Sequence, residues 1–477
     1  MEDVQMGVFK RLAGSMVTQK ALHYVEKDPE TNIPKLAEFL TKHTKTPHLK
    51  RWFGDAIRYM KDEKNPYRNL ILRGFNELAP NVRKEFIRAF VVGAGIENSD
   101  KFAYYKRKYG VVAPWACLID PTSACNLKCT GCWAAEYNKT DNLDYDTMNR
   151  IIHEGKKLGT FFYLFSGGEP LMRKKDLLQL ARENQDCFFC AFTNSTLVDE
   201  QFAKDLAEVG NFALAISVEG TGEATDFRRG KGTYDRIMKS MDLLHAAGVP
   251  FGFSTCYHAK NVDAVSDENY LDFLIKKGCM FGWFFTYIPC GKDAVTELMT
   301  RPEQRELMFH KVRDWRTRKP IFLLDFWNDG DYVEGCIAGG RAYFHINAAG
   351  DVEPCAFIHY SDMNIKDHSY LEVLKSPLFK AYQDAQPFNT NHLQPCPLLD
   401  NPEKLRGIIH QTGARSTQPL DAENVDDLTA KCEKGAAAWK PVADRLWSDL
   451  APDYNHRKAV KDAEKEEKRW EKPKERA

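Results

Sequence analysis

The chain has 477 residues, 43% of them hydrophobic and 12% aromatic, with 67 basic side chains against 67 acidic ones and so no formal net charge. That balance excludes a disordered chain and a polycation that coats nucleic acid, and the length exceeds one ordinary core, so a large α/β domain with smaller attachments is expected. The N-terminus lacks an apolar stretch followed by a small-residue cleavage site, and no run of about 18 apolar residues occurs, which reads as a cytoplasmic protein with no transmembrane segment.

Residues 1–112 read as a helical N-terminal module: "ALHYVEKD", "IPKLAEFLTKH" and "VRKEFIRAFVVGAG" carry apolar positions at three-and-four spacing. From 113 to 320 the texture changes to six short apolar runs, "WACLID", "FFYLF", "CFFCAF", "FALAIS", "PFGFSTC" and "MFGWFFTY", separated by helical patterns, several ending in glycine. Continuous apolar runs suit parallel strands covered on both faces. Six strand–helix units form either an open sheet or a partial (β/α)6 TIM-like barrel, and in both cases ligands gather where strands end. Residues 321–410 read as a β-hairpin with cysteines at both margins, and 411–477 as a helical C-terminal tail of mixed charge, a solvated helix.

Thirteen cysteines, an odd number, point away from a disulfide framework. Cys117, Cys187, Cys190 and Cys256 lie in apolar runs and read as buried small hydrophobes. Cys125, Cys129 and Cys132 differ: they follow the first run in a loop, "CNLKCTGCW", close enough to wrap a [4Fe–4S] cube and one ligand short of filling it. Structural zinc wants four ligands, and neither a fourth Cys nor a His lies nearby in the loop.

"CNLKCTGC" followed by Trp133, after the first strand of such a repeat, resembles the signature of radical S-adenosylmethionine (radical SAM) enzymes. The resemblance implies that Cys125, Cys129 and Cys132 hold the cluster and that S-adenosylmethionine chelates the fourth iron. The reduced cluster then cleaves the cofactor to a 5′-deoxyadenosyl radical that takes hydrogen from substrate. "SGGEP" after the second strand is similar to the family's GGEP segment. Gly167 and Gly168 allow a close backbone approach, Glu169 offers an acceptor for an ammonium, and the resemblance implies that Pro170 belongs to the same cofactor-binding segment. Thr193, Asn194, Ser217 and Glu219 stand where the family places polar groups around the cofactor. Arg228 or, by preference, Arg229 is the candidate for a bidentate pair with its carboxylate, exposed surface arginines being the plain alternative.

Cys336, Gly350, Cys355 and Cys396 resemble the auxiliary-cluster extension called Twitch, a shortened SPASM domain. The resemblance implies one auxiliary [4Fe–4S] cluster on Cys336, Cys355 and Cys396, with Cys290, Cys279, Cys432 or nothing as the fourth ligand. His345 and His359 read as hydrogen-bonded hairpin residues. Asp325, Asp329 and Asp331 read as solvated loop acids, and the aromatics of "GWFFTYIPC" and "LLDFWNDGDYVEG" as strand core rather than substrate wall. The expected partners are a reductant such as flavodoxin or ferredoxin and a peptide or small-molecule substrate, with no nucleic acid. The competing readings are a non-catalytic iron–sulfur carrier or redox sensor and a degenerate zinc-binding barrel.

Overall fold

Proline opens four N-terminal helices, Pro29–His43, Pro47–Lys61, Pro66–Glu77 and Pro80–Glu85, where its fixed φ and missing N–H cost nothing. The computed structural model describes residues 16–44, 47–97, 105–106, 108–135, 137–291, 294–421 and 423–470. The expected helical character of residues 1–15 and the end of the tail beyond 470 fall outside these. The helix Phe86–Glu97 has the wider π pitch. Its Phe86 and Phe90 press edge-on against Phe188 and Phe162 at the first ends of two strands, with ring centroids 5.5 Å apart in each case. Arg73 ties the same rim, donating to the carbonyls of Ile275, Cys279 and Pro320 at 3.1, 3.2 and 3.0 Å. The module therefore closes one end of the sheet, which leaves chemistry to the other.

Seven strands run parallel in chain order: β1 (Ala116–Ile119), β2 (Phe162–Phe165), β3 (Phe188–Thr193), β4 (Phe212–Ser217), β5 (Phe251–Tyr257), β6 (Phe281–Thr286) and β7 (Phe322–Asp325). The first six are the six apolar runs. Two of the intervening helices, Tyr145–Leu158 and Glu200–Val209, end on left-handed glycines, Gly159 and Gly210, as expected. The repeat does not stop at 320, because β7 adds a further parallel strand beside β6. Nor does the hairpin stand apart: β8 (Tyr343–Ile346) pairs in parallel with β1, and β9 (Val352–Glu353) pairs antiparallel with β8, extending the sheet to nine strands.

The sheet curls into the expected partial barrel. Phe326, just past β7, lies 6.3 Å from Tyr343 on β8, although these strands are far apart in sheet order. Side chains alternate accordingly: on β6, Gly282, Phe284 and Thr286 are buried toward the helices, while Phe281, Trp283 and Phe285 are half-buried on the other face. The C-terminal helix Val425–Trp470 is not a free solvated rod, since Trp439, Ala443 and Leu446 pack with Phe309 and Leu393. Among the described residues no helix is long and apolar enough to cross a membrane.

Candidate active site

The cysteine loop leaves β1 at the end opposite the helical module. Its backbone is strapped to the "SGGEP" turn: Gly168 N donates to Thr122 O at 3.0 Å and Glu169 N to Ala124 O at 2.8 Å. The approach is so close that a Cβ at Gly168 would sit 2.1 Å from Ala124 O, so only glycine fits. A second strap joins the loop to the end of β3, where Asn126 Oδ1 accepts from Asn194 Nδ2 at 2.9 Å and Asn126 Nδ2 donates to Thr196 Oγ1 at 2.8 Å. A third comes from just past β6: Gly131 has φ +63° and lies against the Tyr287 ring, where a Cβ would meet Cε2 at 2.6 Å. Cys125 is exposed and Cys129 and Cys132 are half-buried. Asn126 and Tyr287 were not singled out from sequence; the position of Asn126 inside "CNLKC" was the signal available.

Glu169 is 1% exposed. Its Oε1 accepts from Thr193 Oγ1 at 2.6 Å and Leu171 N at 3.0 Å, and its Oε2 accepts from Asn194 N at 2.8 Å. A carboxylate offers about four acceptor positions, so roughly one remains. All three donors are neutral, and burial pushes the carboxyl above its ordinary range despite them. Arg229 opposes the rise only through space, and an ammonium would supply a directly paired charge. Thr193 and Asn194 thus meet the site through Glu169, Pro170 starts the turn Pro170–Arg173, and Ser217 is half-buried at the end of β4.

Glu219, with no exposed surface, faces the other way. Arg228 donates to its Oε1 at 2.6 Å, and Arg229 grips both oxygens through Nε and Nη2. Against burial, which acts upward, Arg229 and Arg228 hold Glu219 below the usual carboxylate range. The two arginines are therefore not exposed, and Arg229 makes its bidentate pair with Glu219, while its Nη1 lies 4.0 Å from Cys129 Sγ. Arg228 O accepts from Thr130 N at 2.8 Å, fastening the helix Gly222–Arg229 to the cysteine loop. Burial raises the Cys129 thiol, and Arg229 opposes that rise.

A buried polar network backs the loop. Ser166 Oγ donates to Asp120 Oδ1 at 2.7 Å, and His345 lies between Asp120, 2.9 Å from Nε2, and Glu353, 2.7 Å from Nδ1. Burial favours the neutral ring, but the two carboxylates hold His345 protonated, its pKa raised to about 10. Tyr137 OH reaches both Glu353 oxygens at 2.9 Å and His359 Nδ1 at 2.5 Å. His359 Nε2 pairs with the Trp133 carbonyl at 3.0 Å, and its ring stacks on that indole. Both histidines are hydrogen-bonded, as expected.

Around the hairpin, Cys336, Cys355 and Cys396 lie within electrostatic reach of one another. Tyr343 OH donates to Cys355 Sγ at 2.9 Å, and Leu399 N to Cys396 Sγ at 3.3 Å. Burial pushes the Cys396 thiol up to about 12, and Cys355 is raised as well. Such thiols ionise only beside a strong positive charge, which a metal centre provides. Cys290 feels Cys432 and Cys355, and Cys432 feels Cys396. Cys279 drops out of the candidates: it is buried at the closed rim beside Arg73. Among the described residues no three His, Cys, Asp or Glu side chains stand close enough to hold one metal ion, whereas a cube spreads its thiolates over separate irons. Asp325, Asp329 and Asp331 are not solvated: Arg316 pairs with Asp329, and Arg313 and Arg457 with Asp331, while Asp325 is buried beneath Tyr257 and Asn328.

Residues 119–268 match the family model described as the Radical SAM superfamily. An "AdoMet-dependent heme synthase" of Methanosarcina barkeri is 21% identical over 324 residues, 62% of this chain and 87% of the relative. An "Fe-coproporphyrin III synthase" of the same organism is 34% identical over 230 residues, 44% of this chain and 56% of the relative. In fold, the chain is similar to SuiB of Streptococcus suis bound to S-adenosylmethionine. That likeness has a TM-score of 0.53 at 16% identity, over 79% of this chain and 90% of that one.

Proposed function

Because its central domain places this chain among the radical SAM enzymes, which work with a [4Fe–4S] cluster and S-adenosylmethionine, we propose that Cys125, Cys129 and Cys132 hold that cluster and that the "SGGEP" turn with Glu169 receives the cofactor's amino group. The observation that carries this is Glu169: a buried carboxylate with three neutral donors and a place left for a cation, strapped directly to the cysteine loop. When bound, the cluster and cofactor supply a 5′-deoxyadenosyl radical able to take hydrogen from an unactivated C–H bond.

The chain's own residues do the rest. Gly168 lets the turn close on the loop, Asn126 and Tyr287 fix the loop's two ends, and Thr193 and Asn194 aim Glu169. Arg228 and Arg229, locked on Glu219, place positive charge beside Cys129 and favour its thiolate. The helical module excludes water from the opposite end of the barrel. Ser217 lines the cofactor's side of β4.

Cys336, Cys355 and Cys396 are assigned to one auxiliary [4Fe–4S] cluster, with Cys290 or Cys432 as the fourth ligand or an open iron. A one-electron reductant such as flavodoxin or ferredoxin serves the enzyme. The substrate is a small molecule or a peptide, and the relatives named for heme and porphyrin synthesis support the former. Anaerobic reconstitution with iron and sulfide, then dithionite and S-adenosylmethionine, tests the reading. The wild type should release 5′-deoxyadenosine and Cys129→Ala should release at least a thousandfold less. Full clusters with no product would return the chain to the electron-carrier reading.

A further inference from the structure

Two guanidinium groups share one carboxylate beside the cysteine loop. Arg228 Nη1 and Arg229 Nη2 both donate to Glu219 Oε1 at 2.6 Å, and Arg229 Nε takes Oε2. The two arginine side chains are only 8% and 11% exposed, so water does little to screen the charge left over. Other buried arginines are treated differently. Arg305 has Asp400 to itself, and where Arg313 and Arg457 share Asp331, Arg457 is 38% exposed.

The surplus faces the loop. Arg229 Nη1, the nitrogen left over from the fork, lies 4.0 Å from Cys129 Sγ. Arg228 Nη2 donates to the carbonyl of Gly131 at 3.4 Å, and its buried Nε has no hydrogen-bond partner among the described residues. The other titratable groups in reach do not cancel it. Glu169 feels Arg229 only through space, and burial raises its carboxyl. Burial, then Arg228, lowers His258 to about 4 and so keeps it neutral, and burial raises the Cys256 thiol.

Three thiolates around an oxidised [4Fe–4S] cube leave one net negative charge, and the electron that reduces the cube adds another. A fixed cation beside one of the sulfurs therefore holds the reduced state more strongly than the oxidised one. We infer that Arg228 and Arg229, with a single carboxylate between them, are a built-in positive charge that eases reduction of the cluster on Cys125, Cys129 and Cys132, delivered chiefly by Arg229. The electron comes from the one-electron reductant and stays on the cube, and no bond or proton of either arginine changes. This rests on the assignment of that cluster to the three cysteines.

Full-length protein, reconstituted anaerobically with iron and sulfide, is titrated potentiometrically. The reduced cluster is followed by its electron paramagnetic resonance signal, identified by its change on adding S-adenosylmethionine. Arg229→Gln leaves Arg228 and Glu219 as a matched pair. It should make reduction at least about tenfold less favourable, a fall of about 59 mV for one electron. Arg229→Met carries the same test if the glutamine variant does not keep the cluster. Glu219→Gln uncovers the second charge and should move the midpoint upward, while Arg229→Lys, which keeps the charge and loses the fork, should recover most of the fall. A midpoint within roughly twofold of wild type in the charge-removing variants, a fall in Glu219→Gln, or a lysine variant as low as the glutamine one would overturn the inference. A signal that responds to S-adenosylmethionine but ignores both charges sinks the inference alone. Absence of any such signal sinks the cluster assignment, and the inference with it.

Discussion

Glu169 at the end of β2 and Glu219 just past β4 are both buried carboxylates beside one cysteine loop, and they are driven in opposite directions. Glu219 is satisfied from within, by two guanidinium groups that the chain itself provides. Glu169 has hydrogen bonds but no ion pair, Arg229 acting on it only through space. A buried acid with its counter-ion built in is part of the scaffold, whereas a buried acid without one is shaped for a cation from outside.

The largest break in this contrast is Glu219→Gln. It strands two buried arginines, and the expected loss is about 3–5 kcal/mol of stability, read as a fall in the urea midpoint of the apoprotein. A loss under about 1 kcal/mol, the range of an exposed pair, would mean that the arginines find other partners. Glu169→Gln should act on the ligand instead. It removes a charged acceptor, which is worth about 1.5–3 kcal/mol, and so should weaken S-adenosylmethionine roughly tenfold to more than a hundredfold by equilibrium dialysis of reconstituted protein. Unchanged affinity would take the ammonium away from Glu169.

Acid gives the smallest and sharpest test. Glu219, with its folded pKa depressed, contributes stability that is whole above about pH 4.5 and lost as pH falls through its lower folded value. The midpoint gap between wild type and Glu219→Gln should therefore hold down to that pH and close only below it. Glu169, with its pKa raised, runs the opposite way. Its folded preference for the proton stabilises below about pH 4.5 and is lost as pH rises through the raised value, so cofactor affinity should begin to fall on acidification above 4.5. Coincident limbs would show that the two acids titrate as one.

What the sequence displayed was whatever is local. Cys125, Cys129, Cys132 and the "SGGEP" turn are contiguous words, and the six runs are continuous because both faces of those strands are covered. The strand β7 was hidden in "IFLLD", too short to separate from the aromatic stretch after it. Asp325, Asp329 and Asp331 looked like a wet loop because their arginines come from elsewhere: Arg313 and Arg316 from the helix Pro302–Arg318, and Arg457 from the C-terminal helix. The Glu219 fork was likewise visible as residues but not as a pair, since Arg229 had two carboxylates to choose between. Cys279 was set aside only by learning which rim of the barrel it occupies.

The seat of β8 beside β1 has a consequence for synthesis. Ala116 hydrogen-bonds to a strand that begins only at Tyr343, so a growing polypeptide carries β1 with one raw flank until most of the molecule has left the ribosome. The strand that launches the thiol-bearing loop is thus finished late, by the same hairpin that bears Cys355. Nascent chains halted before 343 should be sticky and poor at retaining iron, while those released after 346 have that flank sealed.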